Sequence, residues 1–303
     1  VVVTGAHPPR PAPAGRGCDT DLVDHVGALV TALGDTSDRL HRAGFRTTPA
    51  VDLLRPDDDG EMVPSGGRQR CVMLHRGYLE IQAIEDPHRP HPLRDRALRY
   101  QGWHVLALRT ADAAGFGAVA RAGGVPVGGV QRWRRPTATA GAEAEFSFVV
   151  VEPDRTPEAL VIATQHHTPD LVRPTGCTDQ PNGALAVAEV LVVTADPGDV
   201  ADRYRRLTGR AGVDDGSGGH RFTGGADAVT VGDHDWLTRR CPVRPPGPDA
   251  LAAVVLTVAD VDRFARHLGL APTIDHGVRA GVRWFQLAGT ALVVGAVPEE
   301  ERT

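Results

Sequence analysis

Four stretches of the chain repeat one order of elements, and this repetition restricts the fold more than any single motif does. The first opens with Leu22-VDHVGALV, continues into a helical stretch from about Asp35 to Ala43, stops at Gly44-Phe45, and resumes as strands at Gln69-RCVMLH and Gly77-YLEIQAI. The second opens with Gly102-WHVLALRT, with a helix over Ala111 to Ala122 stopped by Gly123-Gly124, and strands at Glu145-FSFVVVE and Ala159-LVIATQ. The third opens with Ala186-VAEVLVVT, followed by a helix over Pro197 to Leu207 and a strand near Asp227-AVTVG. The fourth opens with Leu251-AAVVLTV, has a helix over Val261 to Leu268, and closes with Val282-RWFQLAG and Thr290-ALVVGAV. Glycine after each apolar helical run is a stop signal. One such unit cannot bury both its helix and its sheet face. Two units together close a curved sheet around a cavity with the helices outside. The expected class is α+β: four βαβββ modules paired into two domains with curved, mostly antiparallel mixed sheets.

A length of 303 residues suits two domains. The Pro- and Gly-rich start reads as a disordered leader over 1–20. Val172-RPTGCTDQPNG marks a boundary near 180. This predicts an N-terminal domain over 21–180 and a C-terminal one over 181–303. Asp86-PHRPHPLRD links the first two units, and Pro242-VRPPGPD the last two. The formal net charge of -5 argues against nucleic acid or an anionic membrane surface as partner. No apolar run approaches the roughly 20 residues of a membrane helix, and no signal-peptide pattern opens the chain. Cys18, Cys71, Cys177 and Cys241 form no CxxC pair, so reduced thiols in a cytoplasmic protein are expected. There is neither a phosphate-binding loop nor a GxSxG elbow.

The opening VDHVGALV, the Ala-Gly-Phe helix stop and the strand GYLEIQAIEDP resemble glyoxalase-like domains of the vicinal oxygen chelate superfamily, and GWHVLALRT repeats the pattern. TQHHTPDLV followed by PNGALAVAEVLVV is similar to a branch of bacterial glyoxalase-like proteins. The resemblance implies one divalent metal (Zn, Mn, Fe, Ni or Mg, not distinguished) in the mouth of a paired module. Its ligands would be His25 on the first strand of unit one, Glu80 on the last strand of that unit, and His104 at the place in unit two that His25 holds in unit one. Two imidazoles and a carboxylate suit a divalent transition metal and leave open positions for substrate oxygens. Tyr78 and Gln82 share the face of Glu80 by strand alternation. In unit two apolar Val161 stands opposite Glu80, which leaves Gln165, His166 or His167 to enter the site only if the register shifts. The two histidines point to opposite faces of a continuing strand.

The expected roles are therefore Glu80, His166 and His167 in catalysis, and Tyr78, Gln82, Gln165 and Trp133 at the substrate, Trp133 from the Arg-rich loop Gln131-RWRR. Each has a plainer alternative: a hydrogen-bonded core histidine for His25, pairing with an arginine such as Arg70 for Glu80, a strand end for His166-His167, a solvated surface for Trp133. Glu189 stands in unit three where His25 stands in unit one, while Val254 takes that place in unit four. The second domain is thus expected to be metal-free. The function implied is a metal-dependent lyase, isomerase or transferase acting on a small oxygenated molecule, as a monomer or homodimer. Metal-free sequestration of a small molecule and an extradiol-type dioxygenase are the alternatives.

Overall fold

The computed structural model describes residues 21–89, 91–137, 141–173, 176–241, 243–269, 275–279, 282–287 and 290–296. The leader predicted over 1–20 and Pro242 of the second linker lie outside these.

Each of the four units runs strand, helix, three strands. Unit one comprises β1 (Val23–Leu29), the helix Leu33–Arg42, β2 (Val51–Pro56), β3 (Met62–Met73) and β4 (Tyr78–Ile84). Unit two comprises β5 (Gly102–Arg109), the helix Ala113–Ala122, β6 (Gln131–Pro136), β7 (Glu143–Val150) and β8 (Leu160–His166). Unit three has β9 (Ala184–Val193), the helix Pro197–Thr208, β10 (Val213–Asp214), β11 (His220–Thr223) and β12 (Ala228–Gly232). Unit four has β13 (Ala250–Val258), the helix Val261–Gly269, β14 (Asp275–Arg279), β15 (Val282–Leu287) and β16 (Thr290–Ala296).

Local chemistry fixes the helix ends. Asp112 accepts a hydrogen bond from the Gly115 N–H at one helix start, and Asp196 accepts one from Asp199 at another, with Pro197 in the first turn. Gly209 ends the third helix at φ 67°, a left-handed conformation that glycine adopts without a Cβ penalty. In the first helix Leu33 and Leu40 face inward, seven positions apart on one side.

The first two units close a barrel in the order β1-β4-β3-β2-β6-β7-β8-β5. Its seam is the contact of β2 with β6, Leu54 opposite Arg134. The last two units form an open sheet, β10-β11-β12-β9-β13-β16-β15-β14. Here β10 spans only Val213–Asp214 and does not pair with β14. The two halves share one apolar core: Phe45 lies 6.0 Å from Phe264 and 6.2 Å from Phe285, ring centre to ring centre. Asp227 binds the backbone N–H groups of Leu22 and Val23 at 2.8 and 2.7 Å, tying unit three to the start of β1. Both carboxylate oxygens of buried Glu158 accept from Arg203 Nη2 at 3.0 Å, a second tie between the halves. No described helix is long and apolar enough to cross a membrane.

Candidate functional site

The barrel encloses a cavity of about 1050 Å³, counted out to its open mouth. Strand alternation brings Tyr78, Glu80 and Gln82 of β4 to one wall, and Gln131, Trp133 and Arg135 of β6 to the opposite one. His25, Gln69, Val105, Ile162, Thr164 and His166 also line it from strands, as do Phe146, Phe148 and Val150 from β7. The linker after unit one contributes His91, Pro92 and Leu93 at the mouth.

A bulge in β1 builds the polar end. Val23 pairs with Leu108 and His25 with Ala107, so Asp24 is an extra residue without a cross-strand partner. Its buried carboxylate reaches the same region as His25. The His25 Nδ1–H donates to Asp24 Oδ2 at 2.8 Å, and the His166 Nε2–H donates to the same oxygen at 2.9 Å. Arg109 approaches Oδ1 at 3.5 Å. Burial opposes ionisation of Asp24, but the two histidines outweigh it and hold its carboxyl well below the usual range. The His25 ring stacks on Tyr78, whose hydroxyl burial holds well above its usual pKa.

With Nδ1 fixed on Asp24, His25 turns Nε2 toward Glu80 Oε2, 3.8 Å away. Glu80 Oε2 accepts from the Gln82 amide. With the Gln69 amide nitrogen facing Glu80, Gln69 donates to Oε1 and accepts from Arg135 Nη1 at 3.2 Å. Arg135 Nη1 also meets Cys71 Sγ at 3.2 Å. Arg70, the cation suggested by sequence, instead donates to the Thr48 carbonyl at 3.0 Å. Asp24, Gln69 and Arg135 were not singled out from sequence. An acid inside an unbroken apolar strand was the available signal for Asp24; nothing local flags the other two.

Of the expected site residues, the structure gathers His25, Glu80, His166, Tyr78, Gln82 and Trp133 around this cavity, Trp133 from a strand where a loop was expected. Three do not reach it. His104 faces the other side of β5, donates Nε2–H to the Tyr100 carbonyl at 2.8 Å and stacks on that ring at 4.0 Å. His167 meets Ser147 Oγ at 2.7 Å through Nε2. Gln165 accepts from the Ala113 N–H through Oε1 at 3.2 Å.

Register explains His104. In unit one Gly27 lies beside Glu80, with His25 two positions earlier. In unit two Ala107 lies beside Ile162, and the residue two positions before Ala107 is Val105. Val105 and Ile162 thus take the places of His25 and Glu80, and both line the cavity. A shift of one position turned the expected ligand to the opposite face.

A divalent ion held by three protein side chains does not fit this donor set. His25 Nε2 and Glu80 Oε2 face each other, but the matching positions of the second unit hold the hydrocarbon side chains of Val105 and Ile162, and His166 Nε2 is engaged by Asp24. Among the described residues no group of three His, Cys, Asp or Glu side chains is arranged to hold a metal. In the second half, the carboxylate of Glu189 is taken up by Arg221, Arg240 and Thr230.

Comparison with known proteins agrees with this architecture. The family model described as a glyoxalase-like domain matches residues 23–208. A search of curated proteins finds no match. Among solved structures, a hypothetical protein from Staphylococcus aureus is similar with a TM-score of 0.65 at 10% identity, covering 91% of this chain and 99% of its own. A mutant 4-hydroxymandelate synthase from Streptomyces coelicolor is similar with a TM-score of 0.55 at 12% identity, covering 93% and 95%. A fusion of a xylose isomerase-like TIM barrel with a 4-hydroxyphenylpyruvate dioxygenase gives 0.54 at 11% identity, covering 93% of this chain and 50% of the fusion. These likenesses concern the fold, which is that of paired vicinal oxygen chelate modules. By its match over most of its length, the chain belongs to the glyoxalase-like domain family.

Proposed function

We propose that the N-terminal barrel binds a small oxygenated molecule with an apolar body, and that His25, oriented by Asp24, transfers a proton on it in an isomerase- or lyase-type reaction. The observation that carries this reading is a set of buried polar atoms with no partner among the described residues: Gln82 Oε1, Trp133 Nε1, Thr164 Oγ1, His166 Nδ1 and His91 Nε2. All five belong to residues lining the cavity. Buried polar groups in folded proteins nearly always have partners. A ligand bearing both donors and acceptors would supply these.

The proton-transfer role rests on the pairing at His25. A carboxylate on Nδ1 fixes the tautomer that leaves Nε2 as a base facing the cavity, the logic by which buried acids orient catalytic histidines. In this reading His166 steadies Asp24 and Glu80 is a second acid–base group across from His25. Tyr78, Gln82 and Trp133 contact the substrate. A lyase, isomerase or transferase reaction on a metal held by His25, Glu80 and His104 would need His104 on the other face of β5.

The test uses 2-hydroxyacetophenone in deuterated water, with exchange at the carbon beside the carbonyl followed by NMR. The wild-type protein is expected to accelerate exchange, and His25→Gln to lose at least ~100-fold of that rate. Stoichiometric metal in the purified protein, lost in Glu80→Gln, would overturn the metal-independent reading. A second reading is sequestration without turnover. It is favoured by the aromatic wall, where the Trp133 and Phe148 rings meet edge to face at 5.4 Å and Phe146 stacks on Phe148 at 6.1 Å. Binding of the ketone without exchange would select it.

A further inference from the structure

A second cavity, of about 880 Å³ counted out into the solvent at its mouth, lies against the barrel lumen and shares Arg135 with the first. It is bordered by β2, the end of β3 and the short helix Pro169–Val172 through Val51, Met73, Leu171 and Val172. Among the described residues its charged lining consists of Arg46 and Arg135, with no carboxylate. Cys71, which also lines it, has its thiol pushed up to about 11 by burial, so it stays protonated at neutral pH and cancels no charge.

Arg135 is only 8% exposed. Its guanidinium meets a thiol and the Gln69 amide oxygen, and no described carboxylate lies within ion-pair distance of it. Glu80 reaches it through the bridging Gln69 amide and favours the guanidinium charge from beyond contact. A buried charge is normally paired, because desolvation otherwise costs several kcal/mol. Arg46, exposed at the cavity rim, forms no ion pair among the described residues either. Glu80 of the first cavity and Asp24 behind it do not line the second, so an anion on this side avoids both.

We propose that this second cavity is a binding site for a small aliphatic carboxylate, its oxygens paired with Arg135 and Arg46 and its chain lying on Val51, Met73, Leu171 and Val172. One planar guanidinium fork matches a carboxylate. Arg46 is exposed and screened by solvent while Arg135 is buried, so the cavity offers about one desolvated positive charge, the match for one carboxylate.

Isothermal titration calorimetry at fixed ionic strength with hexanoate and with hexanamide tests the site. Hexanoate is expected to bind at least about tenfold more tightly than the amide, the equivalent of one charge-assisted hydrogen bond. Arg46→Gln, at an exposed position that leaves the fold intact, is expected to weaken hexanoate roughly fivefold. Arg135→Lys, which keeps the charge but not the fork, is expected to weaken it as well. Ile162→Trp fills the first cavity and is expected to leave hexanoate affinity unchanged, which separates this site from the function proposed above. Equal affinity for acid and amide, an Arg46→Gln protein that binds as wild type, absence of binding at millimolar hexanoate, or loss of binding in Ile162→Trp would each overturn the assignment.

Discussion

Asp24 and His166 stand 142 residues apart in the chain and 2.9 Å apart in space, where the imidazole donates to the carboxylate oxygen that also holds His25. This contact bolts the first strand of unit one to the last strand of unit two across the polar end of the lumen. Asp24→Asn replaces an ionised acceptor with a neutral one and weakens the hydrogen bonds of both imidazoles. The expected cost is about 3 kcal/mol, the scale of two hydrogen bonds to a charged group, measured by urea unfolding at neutral pH. The sign of the pH effect also follows. A depressed folded-state pKa means that Asp24 contributes stability above its unfolded value of 3.8, and loses it as the pH falls toward the lower folded value. Wild type should therefore lose this increment below about pH 4, and Asp24→Asn should not.

The register of β5 against β8 points to a substitution that would build a metal site. If Val105 occupies the place of His25, then Val105→His adds a third donor to His25 and Glu80. This variant should take up stoichiometric zinc, with affinity at least ~100-fold above that of wild type, since three protein ligands define an open tetrahedral centre. Leu106→His, one position along and on the other face, is the control and should gain nothing. Metal content after dialysis reads both outcomes.

His91 and His104 give a separate acid signature. Burial pushes each down to about 4 from an ordinary 6.5. A histidine with a depressed folded pKa stabilises the fold above its unfolded pKa, and that contribution drains away as the pH falls from 6.5 to about 4. Each is expected to withdraw on the order of 1–3 kcal/mol over that window. His104→Asn should flatten the pH dependence of the urea midpoint there while leaving His25-dependent chemistry in place. An unchanged slope would contradict the burial of this ring.

Gly27 supplies a steric test of the cavity floor. A Cβ added there would stand 2.9 Å from the Val105 Cβ and 3.3 Å from Glu80 Oε2. Gly27→Ala should cost about 1–3 kcal/mol by overpacking and displace Glu80. It should lower ligand affinity in the first cavity without altering hexanoate binding in the second.

The architecture was legible in sequence because apolar strands, amphipathic helices and glycine stops recur four times in one order. The site was only partly legible. His25, Glu80, Tyr78 and Gln82 were read onto the lumen from alternation in β4 and from the resemblance of β1. His104 was matched to His25 because both precede valine in similar strands. Every residue of β1 is buried, and β5 is buried up to its last residue, so neither strand alternates apolar and polar in a way that sets which side faces inward. The bulge at Asp24 shifts that phase and leaves no mark in hydrophobic periodicity. His167 and Gln165 went astray for a related reason: they sit where β8 ends, and their bonds to Ser147 and Ala113 depend on neighbours brought there by folding.

The unpaired edge between β10 and β14 has a consequence for how the two halves divide their labour. A closed cylinder fixes its radius, so the lumen of the first half cannot widen without breaking strand pairing. Among the described residues the second half keeps two unpaired edge strands, while the guanidinium clasp on Glu189 occupies the spot from which a first-strand side chain would otherwise serve a guest. Insertions and altered lengths at that rim should be tolerated there and not around the β2–β6 seam, so the second half is free to diverge in outline while the first holds its shape.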